Sequence, residues 1–178
     1  MILQVKWDDR FEPYFLHASL LQTNRIGHIP INGPLITAMQ ERWRRETHTF
    51  HMPHGEMTIT LEDVLCIFGM RVDGRPLCVN NAGINWADKA EELLGRRPPE
   101  EMFRGTERKR SKILVRKRWF KVNFNNFGEC EPEIRIQQYC RAYMLAFFAD
   151  VLFTDPNGDA YSLMPLLLLE NMEQLDRW

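Results

Sequence analysis

Residues 47–64 read THTFHMPHGEMTITLEDV, and this signature block decides the fold of its part of the chain. Two short segments, THTFHM and EMTIT, are rich in Thr, Phe and Ile and flank a turn at Pro53–Gly55. This pattern predicts a β-hairpin. Because side chains alternate along a strand, we expect Phe50 and Met52 to face one side and His51 the other.

The end of the signature block carries a helix start signal. In the sequence TLED, Thr60 can accept a hydrogen bond from the amide of Asp63, and Asp63 can reach back to the amide of Thr60. The pattern predicts a helix over 61–68 that ends at Gly69. We expect its inward face to comprise Leu61, Leu65 and Phe68.

Three histidines lie three residues apart in this block, at His48, His51 and His54. A zinc site needs three or four ligands that converge at about 2.0–2.3 Å, and His48 and His51 face opposite ways on a strand. One alternative set combines His51 and His54 with Cys66 and Cys78. However, a free cysteine on the apolar side of a helix is usually a small core residue, which favours a structural turn and no metal.

A catalytic role for the block has equally little support. Cys66 with His51 could form a Cys/His dyad, but no motif surrounds the pair. The chain contains no GxSxG, P-loop, GxGxxG or HExxH. Capping explains Asp63, and we expect Glu62 to be a solvated helix residue. We therefore expect no catalytic residue, cofactor, metal or small-molecule substrate, which leaves an enzyme the less favoured class.

Composition indicates an ordinary globular protein. Of 178 residues, 44% are hydrophobic and 26% charged, close to average values. The length predicts one domain over 1–178, or a large piece of one. No signal peptide or membrane span is expected. Four cysteines without a CxxC pair favour a reducing compartment.

Helical periodicity recurs along most of the chain and predicts a mainly α fold with one or two small β-hairpins, about half of it helical. The second hairpin would turn at Asp73-Gly74. In the helix from Pro34, we expect Leu35, Met39 and Trp43 to form a buried stripe. The predicted helices cover 10–21, 34–46, 61–68, 85–95, 133–153 and a final helix that begins near Ser162.

The charge distribution is uneven. The basic segment, residues 104–121, has nine basic residues and one acid, whereas the whole chain has a net charge of −1. One interpretation is a solvated helix or loop between core helices. The alternative is non-specific contact with nucleic acid, in which cations bind phosphates and an aromatic ring stacks on bases. The candidate residues are Arg108, Lys109, Arg110, Lys112, Arg116, Lys117, Arg118 and Trp119.

The stretch ERWRRETHTFHMPHGEMTITLEDV, followed by FGMRVDGRPL, closely resembles the plant mobile domain of the maintenance-of-meristems (MAIN-like) family. The upstream FEPYFLHASLL and the later YCRAYMLAFFADVLFTDPNGDAYSLMPLLLLENMEQ resemble the same family. The resemblance implies a structural signature, a hairpin that leads into a capped helix. Its positions are Thr49, Phe50, His51, Pro53, Gly55, Glu56, Thr60, Leu61, Asp63 and Val64.

The resemblance also carries expectations about function. It implies a non-catalytic nuclear protein-interaction module linked to gene expression, transposon silencing and meristem maintenance, with a PP7-like protein phosphatase as partner. The alternative is a transposon-derived nucleic-acid-binding module that acts through 104–121. The family labels "aminotransferase-like" and "phosphatase 7 long form homolog" imply enzymes. However, neither a pyridoxal phosphate site nor a two-metal cluster is recognisable.

Members of this family continue well beyond a segment such as ENMEQLDRW. We therefore expect the chain to be an N-terminal portion or a truncated form of a plant mobile domain. The final helix would then lack packing partners, with Leu166–Leu169 exposed on one side.

Overall fold

The computed structural model of the chain describes residues 5–26, 30, 32–71, 83–104, 113–152 and 158–175. The chain divides into two compact units. The hairpin unit comprises Ser19–Gly74, and the core unit comprises Met1–Ala18 together with Arg75–Trp178. About half of the described residues are helical, and the strands form two three-stranded antiparallel sheets. The predicted mainly α fold with small β elements is confirmed.

The secondary structure elements are numbered in chain order. The α-helices are α1 (Glu12–His17), α2 (Leu21–Ile26), α3 (Gly33–Glu41), α4 (Leu61–Phe68), α5 (Trp86–Leu94), α6 (Lys117–Asn123) and α7 (Glu133–Phe147). The strands are β1 (Trp43–Arg44), β2 (Thr49–Met52), β3 (Gly55–Met57), β4 (Phe103–Arg104), β5 (Leu114–Arg116) and β6 (Ala160–Ser162). Short 3-10 helices span Asp9–Phe11, Glu100–Met102 and Met164–Leu167, and a π-helical turn spans Phe148–Leu152.

The predicted hairpin is present as β2 and β3, with Phe50 opposite Met57 and His51 opposite Glu56. Along β2 the alternation is as expected, because Phe50 and Met52 are half-buried whereas His51 is exposed. Strand β1 adds a third, unpredicted strand, in the order β1-β2-β3.

Helix α4 has the predicted limits. It begins after the capping residue Thr60 and ends at Gly69, which adopts the left-handed conformation at φ +67°. The hydroxyl of Thr23 in α2 donates to the carbonyl of Phe68 at 2.7 Å. The expected inward face is wrong for Leu61 and Leu65, which are 67% and 43% exposed. Within the helix, only Val64 and Phe68 are half-buried.

The buried stripe predicted for the helix from Pro34 is also wrong. Helix α3 ends at Glu41, and Leu35 and Ile36 are exposed. Trp43 lies in β1 instead, where its ring contacts the Phe50 ring at a centroid distance of 4.8 Å. The amide of His51 donates to the carbonyl of Arg42 at 2.8 Å, so pairing with β2 replaces the last predicted helical turn.

The helix predicted over 10–21 is divided. A 3-10 turn at Asp9–Phe11 leads into α1, which has Pro13 in its first turn. The chain leaves the helix after His17, and Ser19 has a positive φ of 55°. That backbone conformation cannot continue a right-handed helix. The next helix, α2, belongs to the hairpin unit.

Helix α7, which lies within the helix predicted over 133–153, is the centre of the core unit. Every side chain from Tyr139 to Phe148 is buried. The Tyr143 ring lies 5.9 Å from Phe11 and 5.5 Å from Phe15, and Phe147 lies 5.6 Å from Phe15. Edge and tilted aromatic contacts at these distances add to the free energy gained by burial. Helix α5, which Asn85 caps and Gly95 ends, agrees with the helix predicted over 85–95 and also packs on α7.

The second sheet joins distant parts of the core unit. Strand β5 pairs with β4 and with β6, so Val115 lies opposite both Phe103 and Tyr161. The final helix expected from Ser162 is wrong, because residues 160–162 form β6 and a short 3-10 helix, Met164–Leu167, follows in place of an α-helix. The expected exposure is also wrong: Leu166 and Leu169 are completely buried.

The turn expected at Asp73-Gly74 lies outside the described residues, and so do residues 154–157 of the stretch TDPNGD (154–159), which also predicts a turn. Among the helices that the structure describes, none combines the length and apolarity that a bilayer span requires.

Candidate functional site

The three histidines of the signature block are dispersed over the hairpin. His48 adopts a positive φ of 54°, His51 lies opposite Glu56 on the sheet, and His54 occupies the β2–β3 turn. All three side chains are exposed. In a histidine, positive φ is tolerated mainly in turns, and His48 is the last residue of the turn between β1 and β2.

The alternative zinc set is not brought together in the described part of the chain. Cys66 lies on α4 and is exposed, which corrects the expectation that it is a core residue. Cys78 lies outside the described residues. Within the ranges that the structure describes, no group of three or more His, Cys, Asp or Glu side chains could hold a metal ion.

The capping box is the most organised polar feature of the signature block. Asp63 Oδ2 accepts from the amide and the hydroxyl of Thr60, both at 2.8 Å, and the amide of Asp63 donates to Thr60 Oγ1 at 3.2 Å. The hydrogen bond from the Thr60 amide lowers the pKa of Asp63, and the Thr60 hydroxyl adds to this effect. Because the folded pKa is below the unfolded one, the cap stabilises α4 at neutral pH and weakens as the pH falls through the acidic range.

The other signature residues also have architectural positions. Phe50 packs on Trp43, and Gly55 adopts a φ of +130° at the start of β3, where a side chain would strain the backbone. The hydroxyls of Thr47 and Thr49 form a hydrogen bond of 2.7 Å. Pro53, Glu56 and Leu61 are exposed, and Val64 is half-buried. The block thus forms a hairpin and a helix start, with a solvent-facing apolar side chain at Leu61.

Replacement of Thr60 by alanine tests the cap directly. We expect the hairpin unit to lose about 1 kcal/mol of stability, the usual effect of removing an N-cap hydroxyl. Hydrogen exchange of the α4 amides measures this loss locally. The matched control is Thr58→Ala, because the Thr58 hydroxyl donates to the carbonyl of His48 but caps no helix. An unchanged exchange rate in α4 would contradict the capping role.

In the described part of the basic segment, several side chains pack or pair within the core unit. Trp119 is only 4% exposed and stacks edge-on against Phe120 at 5.0 Å. Its expected role as a stacking platform for bases is therefore wrong. Arg116 lies 3.8 Å from Asp159, and Arg118 is exposed. The remaining candidates, Arg108, Lys109, Arg110 and Lys112, lie outside the described residues.

Lys117 belongs to a buried polar cluster that the sequence did not reveal. Its ammonium group lies 2.5 Å from Asp150 Oδ1, and the Tyr161 hydroxyl donates to Asp150 Oδ2 at 2.6 Å. The Asp150 side chain is 3% exposed. The cluster joins α6, the π-helical turn and β6. The one available signal was a lone acid inside the apolar run YMLAFFADVLF.

Arg141 is a second buried polar residue, on α7. Its Nε donates to the carbonyl of Leu169 at 2.8 Å, and its two terminal nitrogens donate to Leu93 and Glu170 at 3.2 Å. Burial lowers the pKa of the guanidinium. All three partners are backbone carbonyls, so the residue holds the C-terminal segment at Leu169 and Glu170 and the end of α5 against α7.

A shallow groove of about 420 Å³ lies beside α1 in the core unit. The Tyr14 hydroxyl donates to Glu133 across it. Burial, and then this hydrogen bond, raise the pKa of Tyr14 to about 12, so the phenol stays protonated at neutral pH. The other polar groups along the groove are Arg10, His17 and Glu173. Arg10 is paired with Asp8 at 2.7 Å.

Comparison with known proteins finds a matching family model and several similar proteins. The model of the plant mobile domain matches residues 19–178. The chain is similar to the serine/threonine-protein phosphatase 7 long form homolog of Arabidopsis thaliana, with 37% identity over 85% of this chain and 11% of that protein. It is similar to the Arabidopsis thaliana proteins MAIN-LIKE 1 (35% identity over 86% of this chain and 30% of that protein) and MAINTENANCE OF MERISTEMS (35% over 84% and 30%). The chain therefore spans less than a third of these relatives. No solved structure matches it.

Proposed function

Because the chain belongs to the plant mobile domain family, we propose that it is a non-catalytic protein-interaction module. Its partner surface would be the apolar face that Ile59, Leu61 and Leu65 form at α4 of the hairpin unit. The partner is a PP7-like protein phosphatase, a choice supported by the name of one relative, the phosphatase 7 long form homolog. Its setting is the nucleus, in gene expression, transposon silencing and meristem maintenance.

The observation that carries this proposal is the exposure of large apolar side chains around α4. Ile59 is 70% exposed just before the helix, and Leu61 and Leu65 lie one turn apart on one helical face. Scattered apolar residues on a protein surface are common, but several on one element are typical of interaction sites. The capping box fixes the start of α4 and so orients this apolar face.

The experiment measures binding of a purified PP7-like phosphatase to the whole chain by biolayer interferometry. In the variant Leu61→Asp/Leu65→Asp, a charge replaces each apolar contact, and we expect binding to weaken by at least about tenfold. The matched control is Val122→Asp in α6, where the original side chain is 80% exposed. We expect this control to leave binding unchanged.

A variant of the basic segment separates this proposal from the alternative function, nucleic-acid binding through 104–121. If the partner surface is on α4, phosphatase binding survives Arg108→Gln/Lys109→Gln/Arg110→Gln. Loss of phosphatase binding in this basic-segment variant, with full binding by the Leu61→Asp/Leu65→Asp variant, would contradict the proposal.

A further inference from the structure

We propose that the edge strand β1, with the arginines beside it, is a binding strip for single-stranded nucleic acid. The strip comprises Arg42, Trp43, Arg44 and Arg45. It is separate from the basic segment, which lies in the other unit, and it does not depend on the apolar face of α4. The sequence predicts these residues within a helix over 34–46, whereas the structure ends that helix at Glu41 and places Trp43 and Arg44 in β1.

The aromatic part of the strip is a partly open ring. Trp43 is 38% exposed, and one side of it rests edge-on against Phe50 at 4.8 Å, with an interplanar angle of 63°. Phe50 in turn lies opposite Met57, so these three side chains form a row across the sheet. A supported, exposed indole is suited to stacking on a base, an interaction that all four bases can make.

The arginine side chains of the strip are open to a ligand. Arg42, Arg44 and Arg45 are all exposed. Throughout the ranges that the structure describes, none of their guanidinium groups forms a hydrogen bond or an ion pair. This contrasts with Lys117 and Arg116 of the basic segment, which face Asp150 and Asp159. Two acids, Glu41 and Glu46, flank the strip.

The position of β1 makes both kinds of group accessible to one ligand. In the sheet order β1-β2-β3, β1 is an edge strand, and Trp43 and Arg44 project to opposite faces. A chain that runs along the edge can therefore meet arginines and the indole together. Alternating phosphates and bases fit this arrangement. An acidic peptide supplies the charge but no aromatic faces, so we favour nucleic acid.

The test uses the full chain and a fluorescein-labelled oligothymidine of about 15 nucleotides, with anisotropy measured between 50 and 200 mM NaCl. We expect Arg42→Gln/Arg44→Gln/Arg45→Gln to weaken binding by at least about tenfold. Its plot of log affinity against log salt should be flatter by roughly 2, because each lost phosphate contact removes about 0.7. We expect Trp43→Leu to weaken binding by at least about fivefold and to leave the salt slope unchanged.

The charge-matched control is Arg108→Gln/Lys109→Gln/Arg110→Gln, which removes three positive charges elsewhere. Circular dichroism of each variant checks that it folds. Arg44→Lys, which keeps the positive charge, is used if a glutamine variant fails to fold. Binding that is lost in the basic-segment variant but intact in the strip variants would overturn the proposal. Equal competition by polyglutamate, together with full affinity of Trp43→Leu, would also overturn it and identify an acidic-peptide site.

Discussion

Replacing Arg141 by methionine is expected to lower the free energy of unfolding by about 3–5 kcal/mol. The guanidinium donates to three backbone carbonyls inside the core unit, and methionine fills much of the same volume but donates nothing. Buried carbonyls that lose a charged donor retain their desolvation cost. The measurement is chemical denaturation of the whole chain, monitored by the fluorescence of the buried Trp86 and Trp119. Thermal unfolding should show a midpoint lower by roughly 10 °C.

The control for this prediction is Arg135→Met on the same helix. The Arg135 side chain is half-buried, and its ion pair with Glu131 spans 3.7 Å, so its removal should change stability by no more than about 1 kcal/mol. A loss of less than about 1 kcal/mol for Arg141→Met itself would mean that the three carbonyls find other donors.

The second large effect is expected at Asp150. Asp150→Ala leaves the ammonium group of Lys117 and the hydroxyl of Tyr161 without their carboxylate in a buried site. Breaking a buried pair by removing one partner costs about 3–5 kcal/mol. Chemical denaturation measures the loss, and Asp159→Ala is the matched control. Asp159 pairs with Arg104 and Arg116 at an exposed position, where such pairs contribute at most about 1 kcal/mol.

A combined variant distinguishes an unpaired charge from a simple loss of packing. Lys117→Met/Asp150→Leu/Tyr161→Phe removes all three polar groups and keeps an apolar volume in their place. It should recover most of the stability, since apolar replacement of a buried ion pair is often neutral. If the combined variant is as unstable as Asp150→Ala, the cluster stabilises the fold mainly through the packing of its side chains and not through its charges.

The features that could be predicted from the sequence are those with local causes. The Thr60–Asp63 capping box, the left-handed Gly69 and the hairpin turn at Pro53–Gly55 depend on residues within a few positions of each other. The same holds for α5 between Asn85 and Gly95. Short-range signals such as these specify the local backbone conformation without reference to distant parts of the chain.

The features that were missed depend on partners far along the chain. Strand β6 forms because Tyr161 pairs opposite Val115, which replaces the helix that the run of leucines favours. Trp43 leaves its predicted helix because it pairs with Phe50. Burial of Trp119 and the Lys117–Asp150 contact likewise arise from tertiary packing. Helix propensity is overridden wherever burial against distant residues stabilises the fold more than one further helical turn would.

In the candidate site, too, the features with local causes were predictable and those that depend on tertiary packing were not. The architectural role of the signature block was accessible from sequence, because hairpin and cap explain most of its residues. The exposed face of α4 was not, since periodicity assigned Leu61 and Leu65 to the interior. An amphipathic pattern identifies an apolar face but cannot say whether this protein or a partner covers it.

The aromatic cluster around Tyr143 has a consequence for where this domain can be cut. The match to the family model begins at residue 19, yet Phe11 and Phe15 lie upstream and are almost completely buried against α7. A chain started at Ser19 would keep every residue that the family model matches. It would also leave two of its innermost rings, Tyr143 and Phe147, open to water.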